Sequence, residues 1–331
     1  MITKERQKAH SLKHLPEPHP MPVDALQNPR FAGIATLFRL PHIADPNQLD
    51  VALIGVPYDG GTSYRTGPRM GPRHVREQSA IIRPYNPVLK VSPFSRLRVA
   101  DYGDLSTNPI SIENTHDRIT DGLKTVLDAG TIPICVGGDH SILLPILRAM
   151  HAAHGPVALV QFDAHSDTWD TYWGMKYSHG TPVRRAIEEN LLDESRILQV
   201  GLRGQLYSED DMAYALEHNI QMITAEEFHE HGLDLVREKL KAFGDTKTYF
   251  TLDIDVVDPA FAPGTGTPQV GGFSSDQILK LVRALKGLNL VGCDLVEVSP
   301  QYDSAEITSL LAANLLFEQL CLFCFLPEES A

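Results

Sequence analysis

Short apolar runs alternate with longer amphipathic stretches along most of the chain. Eight runs are rich in β-branched and aromatic residues and predict strands: VALIGVP (51–57), RLRVADYGD (96–104), TIPICVGGD (131–139), PVALVQFDAH (156–165), RILQVGLRG (196–204), IQMITAEE (220–227), TYFTLDIDVVD (248–258) and LVGCDLVEVSP (290–300). Helical periodicity fills several of the gaps, as in ENTHDRITDGLKTVLDAG (113–130), HSILLPILRAMHAAHG (140–155) and SSDQILKLVRALKG (274–287). Strand and helix in repeated succession predict an α/β fold built on one parallel sheet with helices on both faces. Residues 1–48 are polar and Pro-rich and predict an irregular arm. No linker or shift of composition divides residues 49–331, which predict a single domain.

Composition narrows the class of partner. The formal net charge is −13, with acidic residues scattered along the chain, and this argues against nucleic acid or an anionic membrane as a partner. The N-terminal MITKERQKAHSLKHLPEPHPMP lacks the apolar core of a secretory signal, so the cytoplasm is the expected location. The apolar stretch SLLAANLLFEQLCLFCFL (309–326) is interrupted by Asn314, Glu318 and Gln319 and predicts a buried helix, not a membrane span. Four cysteines in 331 residues make no disulfide framework, and the pair Cys321 and Cys324 falls inside that apolar helix, where core packing is expected.

Polar residues collect at the carboxyl ends of the predicted strands, where open parallel sheets bind ligands. Asp139 and His140 follow one strand, Asp163, His165 and Asp167 another, Asp253 and Asp255 a third, and Glu297 a fourth. The i, i+2 spacing of Asp163, His165 and Asp167, and of Asp253 and Asp255, would put each set on one face of an extended strand. One such Asp reads most simply as a cap or a solvated turn. Four converging carboxylates do not, because two of them 4 Å apart repel by about 4 kcal/mol at an effective dielectric near 20. No basic residue is interleaved to neutralise them. Two divalent cations would balance the charge. Carboxylate oxygens with a minority of imidazole and no thiolate suit manganese, with zinc, nickel or cobalt as alternatives. Bridged ions of this kind can activate water at neutral pH.

The motifs GGDHS (137–141), DAHSD (163–167) and TLDIDVVDPAFAPGTGTP (251–268) resemble, in order, the three signatures of the ureohydrolases, the arginase and agmatinase family. The likeness runs from about Pro29 to Leu322. It implies a three-layer αβα fold with a mostly parallel, eight-stranded sheet, and assembly as a homotrimer or homohexamer. It also implies one metal on His140, Asp163, Asp167 and Asp253 and a second on His165, Asp163, Asp253 and Asp255, with Mn2+ the usual ion and Ni2+ the ion of a branch that hydrolyses free guanidine. By the same resemblance His179, in YSHGTP, is the proton shuttle, and Glu297, in VEVSP, clamps the guanidinium; Asp167 stands with them among the catalytic residues. The implied reaction is hydrolysis of a guanidino group to urea and an amine.

The substrate is less sharply written. RFAGIATLFRLPH (30–42) and IIRPYNP (81–87) resemble the guanidino-acid branch, and 4-guanidinobutyrate or a near homologue is the expected substrate. Agmatine and free guanidine are the alternatives, as are formiminoglutamate hydrolysis and an inactive, metal-bound regulatory role. Tyr64, Arg65 and Arg69 are candidate contacts to the substrate's tail, with Arg65 and Arg69 equally readable as structural pairs at a subunit interface. Trp169 and Trp173 lie between Asp167 and His179, and Trp173 is a candidate to shorten the pocket or face the guanidinium through cation–π attraction.

Overall fold

The computed structural model describes residues 19–327. All eight predicted strands are present: β1 (Val51–Val56), β2 (Val99–Asp104), β3 (Ile132–Gly137), β4 (Val157–Phe162), β5 (Leu192–Leu202), β6 (Gln221–Thr224), β7 (Thr248–Asp253) and β8 (Leu290–Val296). They form one sheet in the order β2-β1-β3-β8-β7-β4-β5-β6, and every neighbouring pair is parallel. The sheet is therefore wholly parallel and needs cover on both faces.

That cover comes as two hydrophobic clusters divided by the alternation of the strands. Val51 and Leu53 of β1 and Val160 and Phe162 of β4 join the helices Ser275–Ala284 and Ile307–Leu322. Ala52 and Ile54, with Leu159, face the helices Ile112–Asp128 and Leu143–His154. Three layers, helix, sheet and helix, result. The segment Ser304–Phe325 is long and apolar enough to cross a membrane, but 78% of its apolar window is buried in this protein, as befits a core helix. Its Glu318 is neutralised by Arg283, whose Nε lies 3.0 Å away, and accepts from Asn86 Nδ2 at 2.9 Å. Cys321 is buried there and is a free thiol, as are the other three cysteines.

Within the arm, residues 1–18 lie outside the described residues, and residues 19–48 contain no strand. The last part of the arm belongs to the core. Phe38 is buried against Phe94 and Phe317, at ring separations of 6.0 and 5.9 Å. Further out, Leu26, Phe31 and Ile34 are 90–95% exposed.

Chain order and sheet order differ in a way that matters for function. The neighbours β3, β8, β7 and β4 stand side by side although β4 through β7 intervene in sequence between β3 and β8. Their carboxyl ends carry the four groups of polar residues singled out above, so one crevice receives all of them.

One buried ionisable group on the helix Ile112–Asp128 makes stability depend on pH. His116 is 2% exposed and meets Tyr177 edge to face at 5.2 Å. Burial, followed by the nearby Arg148, pushes its ring down to about 3. Between the ordinary value of about 6.5 and that lower one, the unfolded chain binds a proton that the folded chain refuses, so acidification destabilises the fold. This group contributes at most about 1.4 kcal/mol per pH unit. The expected outcome is that His116→Leu flattens the stability profile below pH 6.5, measured by chemical denaturation across that range; parallel profiles for the two proteins would refute it.

Candidate metal centre

Each polar group is delivered by a turn that starts where its strand stops. After β3 the chain passes so close to its neighbour that a Cβ on Gly138 would lie 2.2 Å from the Tyr58 carbonyl oxygen, so only glycine fits. Asp139 then caps the 3-10 turn His140–Ile142, accepting from Ser141 N at 2.9 Å, and the turn presents His140. After β4, Asp163 Oδ1 accepts from His165 N at 2.7 Å, and Ala164 N donates to Asp255 Oδ1 at 3.1 Å. After β7, Asp253 caps the turn Ile254–Val256, which carries Asp255. After β8, Glu297 takes a left-handed backbone with φ 66°, and Asp167 does the same with φ 55°. Left-handed backbone is unusual for such residues and marks geometry imposed by the site.

The strand alternation expected to aim these side chains does not do so. β4 ends at Phe162 and β7 at Asp253, so Asp163, His165, Asp167 and Asp255 sit on turns, not on extended strand. Capping bonds in those turns perform the aiming instead.

The result is two triads sharing one residue: His140, Asp163 and Asp167, and Asp163, His165 and Asp255. His140 Nδ1 lies 3.1 Å from Asp163 Oδ2, 2.8 Å from Asp167 Oδ2 and 3.5 Å from Asp253 Oδ2. His165 Nδ1 lies 3.0 Å from Asp255 Oδ2 and 3.6 Å from Asp163 Oδ1. All six sequence-predicted ligands are thus brought together. His140 Nδ1 and Asp167 Oδ2 are buried and neither takes part in a hydrogen bond among the described residues. Two donor atoms each about 2.1 Å from one ion and at right angles across it would be about 3 Å apart, which is the spacing seen. The donor set therefore fits a pair of divalent cations.

Electrostatics point the same way. Burial opposes charge on both imidazoles, yet Asp167 and Asp163 hold His140, and Asp255 and Asp163 hold His165, well above their ordinary pKa. Burial, then repulsion by Asp255 and Asp163, pushes Asp253 well up, while burial and Asp163 raise Asp167 to about 6. A place that favours protonated imidazole and disfavours another carboxylate charge is a place for cations. Arg203, behind the cluster, is committed to backbone carbonyls, among them Asp255 O at 2.6 Å and Gln269 O at 2.8 Å, and braces the turn that carries Asp255.

Beside the triads lies a second constellation. His179 Nδ1 is 3.0 Å from Glu297 Oε1, and Ser63 N donates to Nε2 at 3.0 Å with Ser63 Oγ at 2.7 Å. The Ser63 contact leaves the neutral ring's proton on Nδ1, facing the carboxylate. Burial lowers the His179 pKa, but Glu297, together with Asp139 and Asp167, outweighs it and lifts the ring to about 8. Glu297 Oε1 also accepts from His140 N at 2.9 Å, while Oε2 is buried with no partner among the described residues.

The conserved pattern of the arginase family matches residues 49–321. The chain belongs to the arginase family. Membership makes it a hydrolase of carbon–nitrogen bonds. It is 50% identical over 315 residues to a guanidinopropionase of Pseudomonas aeruginosa, covering 95% of this chain and 99% of that one. A guanidinobutyrase of the same organism is 46% identical over 304 residues, with 91% and 95% covered. Among solved structures, proclavaminate amidino hydrolase from Streptomyces clavuligerus superposes with a TM-score of 0.83 at 43% identity, covering 90% of this chain and 99% of that one.

Around this arginase-family centre the candidate tail residues separate. Arg69 is paired with Asp59, which also accepts from Gly67 N at 2.8 Å, so Arg69 serves the loop. Arg65 has no carboxylate partner among the described residues; its guanidinium stacks over Tyr302 at 4.8 Å and Tyr64 at 5.5 Å. Tyr64 is 72% exposed. Trp173 is 79% exposed and leans on Tyr172, with ring centroids 5.6 Å apart, in a row that continues through Trp169. Ser63 lies outside the three motifs and carries no signal in the sequence that marks it for the site, whereas Gly266 lies within the third. A Cβ on Gly266 would lie 3.3 Å from Glu297 Oε2 and 3.0 Å from Arg65 O, so this glycine keeps open the space before the free carboxylate oxygen. Gly266→Ala is expected to crowd that space by about 1–3 kcal/mol. Steady-state kinetics should show a KM raised roughly tenfold or more by that cost, with the metal content unchanged; an unaltered KM would show that substrate does not approach Glu297 from this side.

Proposed function

We propose that the protein is a metal-dependent guanidino-acid hydrolase, acting on 4-guanidinobutyrate or a near homologue such as 3-guanidinopropionate and releasing urea and an ω-amino acid. The observation that carries this reading is the unpartnered Glu297 Oε2, placed beside two carboxylate–imidazole triads and beside His179. His140, Asp163, Asp167 and Asp253 would hold one ion and His165, Asp163, Asp253 and Asp255 the other, with Mn2+ favoured by the oxygen-rich donor set and Ni2+ the alternative. Bound divalent ions supply Lewis acidity and acidify water at neutral pH.

The chain's own residues supply the rest. Glu297 Oε2 accepts from the guanidinium and fixes its plane, a charge-assisted bond that neither water nor a neutral side chain would match. Its Oε1, tied to His140 N and His179, keeps the carboxylate from rotating away. His179 holds a proton at Nδ1 against Glu297 Oε1, next to the carboxylate oxygen that would receive the guanidinium. At a pKa lifted to about 8 it holds that proton at neutral pH and can still give it to the departing amine nitrogen. Water adds its oxygen to the guanidino carbon, the C–N bond to the substrate's chain breaks, and the amine leaves with the proton. Asp167, beside His140 in the cluster, is the carboxylate assigned to receive the proton that water loses.

The tail decides between substrates. Arg65 is a cation without an ion-pair partner among the described residues, and its backbone adjoins Gly266 at the rim of the Glu297 space. It suits a carboxylate tail and repels the ammonium of agmatine. Free guanidine would leave Arg65 unused. The names of the two Pseudomonas relatives, guanidinopropionase and guanidinobutyrase, support a guanidino acid as well. We place the enzyme in the cytoplasm as a homotrimer or homohexamer, an assembly that would cover the exposed Leu26, Phe31 and Ile34.

Urea release by the Mn2+- and Ni2+-loaded protein should be greatest for a guanidino acid, with kcat/KM for agmatine, arginine and guanidine lower by roughly tenfold or more, the worth of one charge-assisted contact. Agmatine or guanidine as the preferred substrate would overturn the assignment. Arg65→Met should raise KM for the guanidino acid and leave that for guanidine alone. Asp163→Ala should lose metal and turnover together; two retained ions with normal turnover would refute the ligand set.

A further inference from the structure

The cluster is joined to the middle of the sheet by a chain of buried polar groups that no role described so far requires. His140 Nε2 lies 2.9 Å from Thr251 Oγ1. The Thr251 hydroxyl donates to Asp294 Oδ1 at 2.6 Å, and the Tyr249 hydroxyl donates to Asp294 Oδ2 at 2.9 Å. His140, Thr251, Tyr249 and Asp294 are all at most 1% exposed. Thr251 and Asp294 face each other across the β7–β8 pair, so the sheet's register sets this contact. A carboxylate buried in a central strand among Cys293, Leu295 and Val296 is costly unless its bonds serve a purpose.

From this geometry we propose that Asp294 is a positioning residue for metal binding: through Thr251 it fixes the tautomer of His140. A hydroxyl has one proton. Asp294 takes the Thr251 proton, so the oxygen of Thr251 is left to accept at its other side. The group it accepts from is Nε2–H of His140, which leaves the lone pair on Nδ1. That is the atom 2.8–3.5 Å from the oxygens of Asp167, Asp163 and Asp253 and without a hydrogen bond of its own. Without Asp294 the Thr251 hydroxyl is free to turn and donate to Nε2. The proton of the ring would then favour Nδ1, and His140 would present N–H where a ligand's lone pair is needed. Outer partners of metal-bound histidines commonly govern affinity in this way, by about 10–100-fold.

The inference rests on the binuclear reading above, and the test separates the two. Mn2+ is titrated into the metal-free full-length protein, with free ion followed by electron paramagnetic resonance and bound ion by elemental analysis. The wild-type chain should take two ions. Asp294→Ala and Thr251→Val should each bind one of the two at least about tenfold more weakly. Thr251→Ser, which keeps the hydroxyl, should bind both like the wild type. The double variant Asp294→Ala/Thr251→Val should be no weaker than Thr251→Val alone, because Asp294 acts only through the hydroxyl. Fewer than two ions on the wild-type chain would overturn the binuclear reading and this role with it. Two ions at wild-type affinity in Asp294→Ala, or losses that simply add in the double variant, would overturn the role of Asp294 alone. Should Asp294→Ala fail to fold, Thr251→Val, which barely changes volume, decides: unchanged affinity there breaks the relay.

Discussion

Crowded negative charge is the constraint around which this molecule is arranged. Asp163, Asp167, Asp253 and Asp255 are buried within reach of two imidazoles at one end of the sheet. Repulsion between such groups, about 4 kcal/mol per close pair, would disperse them if the surrounding turns were free to relax. They are not. Three of the four are tied to backbone N–H groups, Asp163 to His165, Asp253 to Asp255 and Asp255 to Ala164, and Arg203 clamps the Asp255 turn from behind. The fold thus holds ready a site that only positive charge makes comfortable, so that metal affinity and the rigidity of the turns are one property.

Sheet topology makes the crowding feasible. A binding crevice in a parallel sheet forms where neighbouring strands lead their connections apart. Here four consecutive neighbours, β3, β8, β7 and β4, contribute to the same crevice. Their bodies are mostly apolar and buried on both faces, which fixes the strand ends to within the tolerance of close packing. Glycine at 138 and left-handed backbone at Asp167 and Glu297 are local departures from easy geometry at the rim of that rigid frame.

Much of this is legible in the amino-acid sequence. Periodicity locates every strand, because central parallel strands are continuous apolar runs, and the three motifs contain all six residues that the structure gathers into one cluster. The means by which those residues converge is not legible there. Alternation along a strand is the natural expectation, yet the strands stop at Phe162 and Asp253 and capping bonds take over, a choice that depends on the N–H groups left by the neighbouring strand. Ser63 and Asp294 escape a reading of the sequence for a related reason: each acts by contact with a residue more than 40 or 100 positions away, Asp294 on Thr251 and Ser63 on His179. Only Asp294 leaves a trace, as the single charge within the strand LVGCDLV. Trp173, prominent in the sequence as one of two tryptophans, lies on the surface of its loop.

Separation of frame from rim explains how one reaction can serve several guanidino compounds. The six clustered carboxylates and imidazoles leave from three strand ends, those of β3, β4 and β7, and altering any of them disturbs the charge balance of the whole cluster. The candidate tail residues Tyr64, Arg65 and Trp173, in contrast, sit on the loop of residues 57–67 and on the loop before His179, where Tyr64 and Trp173 are exposed. His179 N donates to Gly61 O at 2.9 Å, and the Ser63–His179 contact joins the two loops a second time. Through that stitch the loops hold His179 against Glu297, whatever side chains they carry at Tyr64, Arg65 or Trp173. Side chains can therefore change on the outward side of the stitch while His179 stays in place against Glu297. Relatives named for different guanidino acids at 46–50% identity are what such a division permits.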